Sequence, residues 1–169
     1  MLRLFGLTLY SIGMAYVEAM VVIYIRRLIP FEGLSELSVD KIAVFLGENY
    51  ILFEEQTREA ATIVMLICVA LLSGRNLKEK TAAFLWCFGI WDIFYYVFLR
   101  IWTGWPKSFM DMDVLFLIPA PWVSPVAVPI AISVIMLAIA LFLFKGRGRA
   151  LCVLLAKIGK ILHALFKVV

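Results

Sequence analysis

The chain has 169 residues, 64% of them hydrophobic, and a mean hydropathy of +1.01. A soluble domain of that length needs polar residues to cover its surface and sits near half apolar, so the excess excludes an ordinary soluble protein and requires lipid as solvent. The net charge of +4 does not indicate nucleic acid, because the basic residues flank hydrophobic runs, where headgroups and membrane topology account for them.

The first apolar run covers residues 4–29 and is stopped by Arg26, Arg27 and Pro30. It is too long for the core of a signal peptide and is interrupted by Glu18, so it reads as a first membrane span. Residues 30–54 form an acidic outer connection. Within it, residues 38–46 have the pattern of a short amphipathic surface helix, with Ser38 as N-cap and Gly47 as terminator.

A second span is expected over 55–73, its charged first turn lying at headgroup depth. The tight link bearing Arg75, Lys78 and Lys80 makes spans two and three antiparallel neighbours. The third span, 81–102, is rich in aromatics and is broken by Gly104-Trp105-Pro106. Residues 103–124 carry Asp111, Asp113, Pro119 and Pro121 and read as an interfacial or re-entrant loop anchored by Trp105 and Trp122. A fourth span follows over 125–144.

The tail, 145–169, opens with Lys-Gly-Arg-Gly-Arg. Beyond it Lys157, Lys160 and Lys167 recur near one helix face, with leucine, isoleucine and phenylalanine on the other. This is the pattern of a helix lying in the membrane plane against anionic lipid. The expected architecture is therefore all-α: a single membrane domain of four transmembrane helices, with an outer surface helix and a C-terminal interfacial helix.

With the N-terminus inside, the inner side carries ten basic residues and the outer side six, which follows the positive-inside rule. Both ends are thus expected in the cytoplasm, in a bacterial or archaeal cytoplasmic membrane.

Glu18 and Asp92 fall well inside spans, where an ionised carboxylate costs several kcal/mol and is normally paired, protonated or facing water. Asp92, Tyr96 and Arg100 share a helix face at spacing i, i+4, i+8. Glu18, Val22 and Ile25 share a face leading outward. With Arg58, Glu59 and Tyr95 these side chains could form an outward-opening polar funnel for a small solute, a cation or a proton. The plainer reading is a buried ion-pair network that fixes helix register, such as Asp92 with Arg58 or Glu18 with a tyrosine hydroxyl.

Other chemistries find little support. His163 is the single histidine and lies in the tail, so neither haem nor zinc has a ligand set in the spans, and no cofactor is expected. Cys68, Cys87 and Cys152 are scattered and read as small apolar fillers. Serines lack a histidine partner within the membrane, so catalytic residues cannot be assigned. Two further functions stay open: a non-catalytic subunit or assembly factor, with a membrane protein or a second copy as partner, and an enzyme acting on a lipid or isoprenoid through a carboxylate acid or base.

Overall fold

A computed structural model describes residues 2–28, 51–118 and 121–144, together with Lys157 and Lys160 of the tail. Four helices and one small sheet account for the described chain: α1 (Leu2–Leu28), α2 (Ile51–Ser73), α3 (Leu77–Thr103), β1 (Met112–Phe116), β2 (Trp122–Pro125) and α4 (Ala127–Leu143). Three helical stretches, Leu2–Arg27, Leu52–Ser73 and Leu77–Thr103, are long and apolar enough to cross a membrane. Helix α4, at 17 residues, spans roughly 26 Å at 1.5 Å per residue, slightly less than a hydrocarbon core. The expected surface helix over 38–46 lies outside the described residues, as does most of the tail; Lys157 and Lys160 are helical and exposed.

Helix α3 is the centre of the bundle, packing on α1, α4 and, less extensively, α2. Its start is set by Asn76, whose side-chain oxygen accepts the backbone N–H of Glu79 at 2.9 Å and so satisfies one orphan donor of the first turn. Its end is set by Gly104, which takes φ 73°, a left-handed conformation that glycine adopts without a Cβ penalty, and returns its N–H to the Arg100 carbonyl.

The side of α1 against α3 is a row of residues four apart: Leu7, Ser11, Ala15, Ala19 and Ile23, all buried. Small side chains in the middle of that row let the two backbones approach, the usual basis of helix association where lipid removes the hydrophobic drive. Ser11 returns its hydroxyl proton to the Leu7 carbonyl, which satisfies it inside its own helix. Trp86 of α3 then reaches back to the Thr8 hydroxyl at 3.0 Å.

Arg3 connects three elements at one end of the bundle. It pairs with Glu79 at 2.7 Å and lies over the Phe144 ring at 5.3 Å, so the starts of α1 and α3 and the end of α4 meet there. At the opposite end, Arg26 stacks on Trp105 at 4.0 Å and pairs with Asp113 at 3.2 Å. The direction of the described helices therefore alternates up, down, up, down.

The all-helical expectation is corrected between α3 and α4. The segment read as an interfacial or re-entrant loop contains an antiparallel hairpin, β1 with β2, in the register Asp113↔Ser124 and Val114↔Val123, with a bulge between Val114 and Phe116. The prolines that argue against helix are compatible with this edge-rich pairing, since Pro125 sits at the end of its strand and Pro121 precedes Trp122. Val126 and Ala127 donate to the carbonyls of Asp111 and Phe109, and these bonds fix the base of the hairpin to the start of α4. Pro129 falls in the first turn of α4, where its missing N–H costs nothing.

Candidate functional site

Between the four helices and beneath the hairpin lies a cavity of about 810 Å³. Glu18, Arg58, Glu59, Asp92, Tyr95 and Tyr96, six of the seven residues singled out in the sequence, line it. Arg100 does not. Its guanidinium donates to the Gly104 carbonyl, so it closes the end of α3 rather than facing the cavity, although it stands two turns from Asp92 on the same face.

On α1, Glu18, Val22, Ile25 and Arg26 all line the cavity. Glu18 lies ten residues before Leu28, and Asp92 eleven before Thr103, so both sit roughly 15 Å from the hairpin-side helix ends.

The polar groups resolve into three sets. In the first, Arg58 donates to Glu18 on α1 and, one turn back on its own helix, to Glu55 at 2.7 Å. The expected pairs, Asp92 with Arg58 and Glu18 with a tyrosine, are replaced by this triad. The reason is reach: Arg58 and Glu55 are i, i+3 neighbours, and Glu18 faces them across the α1–α2 gap. A single cation shared by two carboxylates leaves the set with a net negative charge.

The second set holds the hairpin. Arg26 pairs with Asp113, and both oxygens of Glu59 accept the Leu117 N–H, at 2.9 and 3.2 Å. Gln56, one turn from Glu59, donates to the Leu117 carbonyl at 3.0 Å, so the backbone of Leu117 is satisfied entirely by α2. Burial raises the Asp113 carboxyl above the usual aspartate range, and the Arg26 charge and a Tyr96 hydrogen bond only partly oppose this. Asp113 is 7% exposed, and its second oxygen, Oδ2, has no hydrogen-bond partner among the described residues.

The third set is Asp92 with Ser133. The Ser133 hydroxyl donates to Asp92 Oδ2 at 2.7 Å across the α3–α4 contact. Asp92 forms no ion pair among the described residues. Gly89, one turn before it, makes this meeting possible: a Cβ there would stand 2.9 Å from the Ser133 carbonyl oxygen and 2.9 Å from Leu137.

The wall around these groups is aromatic. Phe88 meets Trp91 edge-on at 5.2 Å and stacks on Phe116 of the hairpin at 6.3 Å, while Tyr95 and Tyr96 contact at 4.9 Å. Trp91 is buried and its indole N–H is unpartnered among the described residues. Among the same residues no three His, Cys, Asp or Glu side chains are grouped to hold a metal ion.

Sequence reasoning missed Asp113, Glu55, Arg26 and Ser133 as members of the site. Ser133 carried a signal, as the single hydroxyl in the apolar helix α4. Asp113 carried none, because only the hairpin folds it back over the helices.

No protein family matches the chain, and neither a curated protein nor a solved structure is similar to it.

Proposed function

We propose that this chain is a four-span membrane protein, with both ends in the cytoplasm, whose outward-facing intramembrane pocket binds or translocates a small solute, cation or proton. The observation that carries the reading is Asp92. It is a carboxyl about half a helix deep, lining a cavity of about 810 Å³, with a neutral hydroxyl as its hydrogen-bond partner. A carboxylate kept purely to fix helix register would be expected to meet a cation, and Arg58 instead serves Glu18 and Glu55. The cavity is also in the size range of small-ligand sites, and an apolar, aromatic wall stands beside its charged groups.

Orientation follows from the charge asymmetry of the loops, which puts the hairpin on the outer side as a roof over the pocket. On this reading the lysines of the tail, Lys157, Lys160 and Lys167, lie against anionic headgroups.

The test is solute binding and flux in proteoliposomes for Asp92→Asn and Glu18→Gln. Both variants should stay folded and lose binding or flux. Loss of folding in both, with no solute or proton movement by the parent protein, would sink the proposal.

A second reading has one observation in its favour. Among the described residues helix α2 buries little of its length and exposes Val64, Met65, Ile67, Leu71 and Leu72 along it. That face suits a second copy or a partner helix as well as lipid, and a subunit role would use it. Cross-linking at introduced cysteines on that face, in native membranes, separates a protein partner from lipid.

A further inference from the structure

If the pocket is a binding site, as proposed, its lining also selects the chemical class of the ligand. Six carboxylates line the cavity against three cations. Two of those cations are already engaged: Arg58 by Glu18 and Glu55, and Arg26 by Asp113 and the face of Trp105. An anionic ligand would therefore meet an excess of like charge, with Lys107 as the one lining cation outside these pairs among the described residues. A bare metal ion would find no ligand cluster among the described residues. A proton needs neither the volume nor the aromatic wall.

Two carboxyl groups keep capacity for a ligand: Asp92 has no cation beside it among the described residues, and Asp113, already paired with Arg26, keeps one oxygen. Asp92 has the Ser133 hydroxyl, and Asp113, nine-tenths buried and facing the cavity, has one oxygen with no partner among the described residues. Tyr96 lies within electrostatic reach of both. Phe88, Trp91, Tyr95 and Trp105 line the same cavity. Aromatic faces beside a carboxylate, out of bulk water, are the standard means of holding an ammonium group: the ring quadrupole and the charge attract the same ligand, and neither requires a naked ion to shed tightly held water.

We infer that the pocket takes an amphipathic organic cation, a quaternary ammonium or protonated amine on an apolar body, with the cationic head between Asp92 and Asp113 and the body against the aromatic wall. Such a head is carried by free amines and by ammonium-bearing lipid headgroups alike.

The experiment titrates the purified protein in nanodiscs with benzyltrimethylammonium, benzyl alcohol and benzenesulfonate, reading heat and the fluorescence of the pocket tryptophans. The cation should saturate and bind at least tenfold more tightly than the neutral and anionic probes. Asp92→Asn and Asp113→Asn should each weaken it by tenfold or more while remaining monodisperse and helical. Asp113 lies outside the spans, so its variant tests the site even where Asp92→Asn fails to fold. Nanodiscs of phosphatidylethanolamine set against phosphatidylglycerol identify the source: competition only from the former assigns the site to a lipid ammonium, and no competition assigns it to a free cation.

Saturable binding of the neutral or anionic probe, lost in Asp92→Asn, would overturn the cation while leaving the pocket as a binding site. Saturation by none of the three would overturn the inference. If the proteoliposome assay also found no transported solute or proton, the binding reading would fail with it.

Discussion

Ser133 donates to Asp92 across a tight contact between α3 and α4, one turn from the glycine that lets the helices close to that distance. The hydrogen bond and the close approach depend on each other. Without a side chain at Gly89 the helices can meet, and because they meet, a serine on an otherwise apolar helix can satisfy an unpaired carboxyl in the helix before it.

Removing the donor should therefore be felt in stability. Ser133→Ala leaves Asp92 without its hydrogen bond, and loss of a bond to an acidic group is expected to cost about 1–3 kcal/mol. Asp92→Asn keeps an acceptor for the same hydroxyl and should cost less. Thermal unfolding in one detergent, compared across the two variants, checks the ordering; equal losses would contradict it.

Gly89→Val should cost more than helix propensity alone predicts. A Cβ there meets a backbone carbonyl at 2.9 Å, which cannot rotate away, and overpacking of this kind costs roughly 1–3 kcal/mol. Gly6 and Gly13 of α1 have nothing within 4 Å of an added Cβ, so alanine at either should be neutral or stabilise by up to about 1 kcal/mol. A shared response of all three sites would mean that propensity, not packing, decides.

The Glu18–Arg58–Glu55 triad is asymmetric under mutation. Arg58→Ala strands two carboxylates at once, and breaking a mostly buried pair from one side is expected to cost on the order of 3 kcal/mol. Glu18→Gln leaves Arg58 still held by Glu55 and should cost appreciably less. Denaturation of the single variants and of the Glu18→Gln/Arg58→Ala pair checks this, since the double variant should recover part of the Arg58→Ala loss.

The hairpin should be held more firmly as pH falls. Asp113 is raised by burial relative to the same group in water, so the docked hairpin binds a proton more readily than the lifted one. Its contribution to docking is fully present below the ordinary aspartate value and is lost as pH rises through the raised one. Asp113→Asn, neutral throughout, should then dock more tightly than the parent at neutral pH, and the difference should vanish on acidification. Hydrogen exchange at the amides of 112–117 measures it directly; a parent hairpin that loosens on acidification while the variant does not would reverse the sign.

The three long apolar helices were legible in the residues because a bilayer imposes length and composition on any segment that crosses it, whatever that segment packs against. The cost of Glu18 and Asp92 was legible for the same reason, since an acidic side chain amid twenty apolar ones is conspicuous without knowledge of its partner. Partners were another matter. Arg58 could have served Asp92 or Glu18, and only the fold, which sets Arg58 opposite Glu18 across the α1–α2 gap, gave it to Glu18. Arg100 shared a face with Asp92 by spacing, yet the left-handed turn at Gly104 drew its guanidinium to the end of its own helix. Asp113 and Leu117 looked like loop residues until the hairpin folded them onto Arg26 and Glu59. Periodicity fixes what a residue faces along its own helix; which side chain stands opposite depends on how the helices are turned about their axes, and that is decided by packing details as small as the missing Cβ of Gly89.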